Sequence, residues 1–122
     1  MVIRAKDRQQ SKSVRFGGKG LVTMLPIISA GSDLFHNAAS VYSEVLLKQG
    51  ESFGVHSHTS NFEILFFLEG IANYYDDDKE YQVSPGDVCV CEKGHSHGVE
   101  NASSQMVRYI ALVLNPNDSD CK

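Results

Sequence analysis

The chain has 122 residues, 42% of them hydrophobic and 21% charged, with a formal net charge of −4. Length and composition together exclude a disordered or fibrous chain and point to one packed domain. No run approaches the roughly 18 apolar residues of a membrane span. The N-terminus lacks an apolar signal core, and three cysteines make no disulfide framework. A cytoplasmic protein with reduced thiols and no membrane partner is expected.

Residues 1–20 are basic, carrying six Lys or Arg against one acid, whereas the remainder carries five against fourteen. The segment ends in Gly17, Gly18 and Gly20 but lacks the Lys-Ser/Thr ending of a phosphate loop. Without interleaved aromatics it does not read as a nucleic-acid arm, and no nucleic-acid partner is expected. It reads instead as an arm, either solvated or laid across a neighbouring subunit.

From Leu21 onward, short runs rich in Val, Ile, Leu, Phe and Tyr alternate with Gly, Pro, Asn, Asp and Ser, and helical periodicity is nowhere sustained. Strands are predicted over 21–28, 41–47, 52–58, 62–69, 71–76, 80–83, 87–91, 97–100 and 106–114. The chain is therefore predicted to be all-β, with a barrel or sandwich domain over 21–115 and a polar tail over 116–122. Asp77 and Asp78 fall in a hairpin connection between Asp76 and Glu80, where Asp tolerates turn geometry.

The run Phe62 to Glu69 is apolar on both faces, Ile64, Phe66 and Leu68 lying opposite Leu65 and Phe67. One face belongs to the barrel interior. The other needs a cover, either the chain's own second sheet or a second subunit, and a homodimer is expected on this ground.

His56 and His58, two apart in an extended run, project from one face of their strand. Glu63 shares a face with Leu65 and Phe67, where a carboxylate is costly unless it is paired or bound to a metal. Two imidazoles and one carboxylate on neighbouring strands suit a borderline divalent ion with positions left open. Further on, His95 and His97 form a second His-x-His pair, and alternation alone does not choose between them.

The spacing Gly50, His56, His58, Glu63, Gly70 resembles the first motif of the cupin superfamily. The stretch Gly86, Gly94, His97, Asn101 resembles the second. The departure is Glu92, which stands where the second motif usually has proline and leaves the turn before Gly94 less rigid. The resemblance covers roughly residues 41–114 and implies a double-stranded β-helix, or jelly-roll barrel. It further implies a metal ligand set of His56, His58, Glu63 and His97 holding one divalent transition metal ion, Mn, Fe, Ni or Zn.

On this reading His95 lies beside the site or faces solvent in its loop, Asn101 fixes the chain after His97, and Cys89 and Cys91 line the pocket or serve as small buried apolar groups. Strand alternation adds Leu65, Phe67, Tyr75 and Arg108 as pocket candidates, Arg108 for an anionic ligand. His95 and Glu44 are candidate general bases, and His36 is expected to lie outside the site. Cupins resembling this chain act on small oxygen-rich molecules as decarboxylases, dioxygenases, isomerases or lyases. The expected function is accordingly a metal-dependent enzyme of that kind, the alternative being a non-catalytic module that binds or senses a metabolite.

Overall fold

The computed structural model describes residues 1–116. Of the polar tail expected over 116–122, all but Pro116 lies outside the described residues. Ten strands follow in chain order: β1 (Ser11–Ser13), β2 (Val22–Ile28), β3 (Ala39–Leu47), β4 (Ser52–Ser57), β5 (Phe62–Glu69), β6 (Ala72–Asp76), β7 (Lys79–Val83), β8 (Val88–Cys91), β9 (Ser96–Glu100) and β10 (Val107–Leu114). Two short 3-10 turns, Ala5–Asp7 and Asp33–Phe35, are the helical elements among the described residues. No helix there is long and apolar enough to cross a membrane.

The strands form a six-stranded sheet in the order β1-β2-β3-β10-β5-β8 and a four-stranded sheet in the order β4-β9-β6-β7. Every pairing is antiparallel. The two sheets face each other as a jelly-roll barrel, so each strand turns alternate residues into one shared interior. In β10, Val107, Tyr109, Ala111 and Val113 are buried, and in β5 Glu63, Leu65 and Phe67 are. Phe67, fully buried, packs its ring 5.1 Å from that of Tyr109. Truncating such a ring to Ala typically costs about 3–5 kcal/mol.

The nine strands predicted from pattern all occur, with no end shifted by more than two residues. The connection between β6 and β7 is a two-residue turn, with Asp76 paired to Lys79 and Asp77 at φ 53°. Asp is among the few residues other than Gly that enter that region readily.

One expectation needs correction. The arm is not a free basic tail. Its Ser11–Ser13 segment pairs with β2, and Arg8 bonds the carbonyls of Leu25 and Pro26 and the carboxylate of Glu44. The barrel sheet thus begins ten residues earlier than predicted, because polar side chains on an edge strand hide it from a hydrophobic pattern. The outer face of β5, for which a cover by the chain's own second sheet or by a second subunit is expected, is only partly covered within one chain. Phe66 is 42% exposed, and its neighbours Val88 and Val90 on β8 are 59% and 48% exposed.

Candidate metal centre

The site lies between the sheets. His56 on β4 and His97 on β9 are directly opposite in the antiparallel ladder, which brings two inward imidazoles side by side. His58 follows the last residue of β4, and its backbone is tied to the loop before β9 by N–H donation to the His95 carbonyl at 2.9 Å. Gly94 in that loop sits at φ 91° and donates to the His58 carbonyl at 2.6 Å. A residue with a β-carbon would be strained at that angle. Glu63 enters from β5 on the opposing sheet.

The four side chains each offer one donor atom, and these atoms lie within 4.8 Å of one another. Oε1 of Glu63 is 2.7 Å from Nε2 of His97, 3.0 Å from Nε2 of His58 and 3.7 Å from Nε2 of His56. The Nε2 atoms of His58 and His97 are 3.1 Å apart.

The outward nitrogens decide what the inward ones can do. Nδ1 of His56 lies 2.8 Å from the Gly54 carbonyl, which can only accept, so that nitrogen carries the proton and Nε2 presents its lone pair. Nδ1 of His58 is 2.6 Å from Oδ1 of Asn61, and Nδ1 of His97 is 2.9 Å from the Tyr74 hydroxyl, which can accept in the same way. Three lone pairs and a carboxylate then converge on one buried point. That arrangement is repulsive by itself and becomes favourable around a cation. The donor set therefore fits the divalent ion that the sequence motifs imply.

With no ion between them, the imidazoles can take a proton on Nε2 and turn it toward Glu63; burial pushes the carboxyl upward, yet hydrogen bonds from His58 and His97 and the nearby His56 then outweigh it and hold the group well below the usual carboxylate range. Hydrogen bonding to Glu63 raises His58 against the opposing effect of burial. The carboxylate is thus ionised and available as a ligand at neutral pH.

A cavity of about 240 Å³ opens onto this cluster. Its walls include Met24, Val45, Phe53, Leu65, Val99, Tyr109, Ala111 and Val113, together with Arg15 and Phe16 from the arm. The Phe16 ring stacks on His56 with centroids 4.1 Å apart and planes 13° from parallel.

Of the sequence-derived candidates for the pocket wall, as distinct from the four proposed ligands, Leu65 lines this cavity and the others lie elsewhere. Phe67 belongs to the packed core. Tyr75 turns outward and donates to Glu100 at 3.2 Å, and its neighbour Tyr74 is the one that meets His97. Cys89 is a core residue and Cys91 is likewise buried; burial pushes both thiols up to about 11, so they serve as small apolar groups.

His95 is exposed at the surface and paired with Asp77 at 2.6 Å. It precedes β9, so the alternation that would have placed it with His97 does not apply. Arg108 and Glu44 lie on the outer face of the six-stranded sheet, in a chain of ion pairs with Arg8 and Glu69. Neither borders the cavity. His36, as expected, caps the turn after Phe35 away from the site.

Arg15, Phe16, Asn61 and Tyr74 were missed by sequence reasoning. The only available signals were the polar Asn61 in a His-flanked turn and the Gly17-Gly18 pair beside an aromatic. Asn101 has the scaffold role predicted for it. Its buried side chain donates to the Leu47 and Gln105 carbonyls and accepts from Ser103.

The cupin-domain family model matches residues 43–113. An oxalate-binding protein of Thermotoga maritima is 32% identical over 115 residues, 93% of each chain. A crystal structure from the same organism, named as a predicted oxalate decarboxylase, aligns with a TM-score of 0.88 at 31% identity, covering 95% of this chain and all of that one. A polyketide cyclase of Streptomyces resistomycificus shares the fold at 19% identity, with a TM-score of 0.74 over 96% of this chain and 85% of its own.

Proposed function

Because the chain belongs to the cupin superfamily, we propose that it holds one divalent transition metal with His56, His58, Glu63 and His97 and binds a small dicarboxylate of the oxalate class beside it. The observation that carries this reading is the convergence of four donor atoms at the foot of a small cavity. A volume of about 240 Å³ is below the roughly 300–1,000 Å³ of pockets for drug-sized ligands. It suits a molecule of a few heavy atoms. The relative named as oxalate-binding supports the same ligand class.

When bound, such an ion supplies Lewis-acid polarisation of a coordinated carboxylate. The chain's own residues then orient the ligand. Leu65 and Val113 from the six-stranded sheet and Val99 from the four-stranded sheet give the cavity apolar walls, and the Phe16 ring covers His56. His95 and Glu44, the bases considered from sequence, lie outside the cavity and take no part in moving a proton there. That separation favours the second reading, binding without turnover, over acid–base catalysis through those two groups.

Titration calorimetry with oxalate on metal-loaded and chelator-treated protein tests the proposal. Saturable binding of about one oxalate per chain is expected only with the metal present. No binding in the loaded protein, or equal binding after chelation, would overturn it. Release of formate or carbon dioxide from the bound oxalate would assign the enzyme reading, and its absence the binding module.

The homodimer remains a proposal supported by Phe66, Val88 and Val90, three exposed apolar residues on one sheet face. Light scattering at micromolar concentration would read twice the 13.4 kDa chain mass; a monomer mass would contradict it.

A further inference from the structure

The cavity has one Lys or Arg in its wall, and it comes from the arm. Arg15 borders the same space as His56, Glu63 and His97, and it is the single Lys or Arg in the lining. Its Nε is buried without a hydrogen-bond partner, and the guanidinium makes no ion pair among the described residues. By contrast, Arg8 and Arg108 are both paired on the outer face. A buried guanidinium donor left unmatched is costly, and the group that satisfies it best is a carboxylate, which accepts two parallel N–H bonds from its planar fork.

The arm is held over the site by backbone contacts. The Arg15 carbonyl accepts from Gly54 at 3.0 Å and from Gly18 at 2.9 Å, and the Lys19 carbonyl accepts from Ser52 at 2.9 Å. These bonds fix the residue between β1 and Phe16 at the edge of β4, with Phe16 stacked on a proposed metal ligand. Arginine and aromatic ring are thus placed by one short stretch of chain.

We propose that Arg15 is the residue that recognises the ligand's carboxylate, making the N-terminal arm the specificity element of the cavity. This rests on the reading that a small carboxylate binds beside the metal. It gives one of the arm's six basic residues a role at the cavity, and it replaces Arg108 as the anion-binding arginine.

The test compares wild type with Arg15→Gln and Arg15→Lys, each loaded with Mn²⁺, by calorimetric titration with oxalate and by measurement of Mn²⁺ content and thermal midpoint. Oxalate affinity should fall about ten- to a hundredfold in Arg15→Gln, the worth of a charge-assisted pair. It should fall less in Arg15→Lys, which keeps the charge but loses the fork. Mn²⁺ content should stay at the wild-type level in both. If wild type binds oxalate and Arg15→Gln binds it equally well, the role of Arg15 is refuted and the ligand class stands. Equal losses in both variants, accompanied by a lowered thermal midpoint, would also overturn it, since they would make Arg15 a structural strut. Failure of loaded wild type to bind oxalate would remove the underlying ligand reading and this inference with it.

Discussion

Gly54→Ala tests how the arm is attached. A β-carbon at Gly54 would collide with the Phe16 carbonyl oxygen and come within 2.8 Å of both the Phe16 carbonyl carbon and the Gly18 nitrogen. All three are backbone atoms and have no rotamer with which to retreat, so the arm must lift from β4. Lifting breaks the Gly54 to Arg15 hydrogen bond, worth about 0.5–1.5 kcal/mol. It also breaks the Phe16 to His56 stack, worth about 0.5–1.5 kcal/mol for an aromatic pair. The sum is about 1–3 kcal/mol, to be read as a lowered urea midpoint in circular dichroism at unchanged slope. The Glu63 carboxylate and the three Nε2 atoms are untouched, so metal stoichiometry should persist while oxalate binding weakens. A midpoint equal to wild type would show that the arm contributes nothing to the barrel and would refute the packing argument.

Tyr74→Phe keeps the buried ring but removes the oxygen facing Nδ1 of His97, and metal affinity should fall about tenfold with the fold retained; competition with a chromophoric chelator reads the change. Asp77 holds His95 above its ordinary range, while His95 holds Asp77 below its own. The raised histidine contributes stability below pH 6.5 that is lost as pH rises through its folded value. The depressed aspartate contributes stability above pH 3.8 that is lost as pH falls through its folded value. Their joint effect is therefore greatest between those two points. In Asp77→Asn, the His95 titration followed by NMR should move back toward 6.5, and an unmoved curve would contradict the pairing.

Period-two alternation placed the nine main strands, and two spaced motifs named four side chains that the fold brings within 4.8 Å of one another. What alternation could not supply was parity. Tyr74 and Tyr75 are adjacent and chemically alike, and only pairing with β9 turns Tyr74 toward His97. In β10, Ile110, Leu112 and Leu114 are apolar opposite Tyr109, Ala111 and Val113, so the sequence did not mark Arg108 as outward. The contribution of Arg15 depends on two glycines, Gly18 and Gly54, that are 36 positions apart and allow backbone to meet backbone. Such a contact leaves no periodic trace in either segment.

The central claim is a single metal centre built on Glu63 and three histidines. Equilibrium dialysis of chelator-treated protein against Mn²⁺ and against Zn²⁺, with elemental analysis of wild type and Glu63→Gln, tests it directly. One ion per chain in wild type, with affinity at least a hundredfold weaker in Glu63→Gln, is the predicted result. Wild type that takes up neither ion, or Glu63→Gln that binds as tightly as wild type, would contradict it.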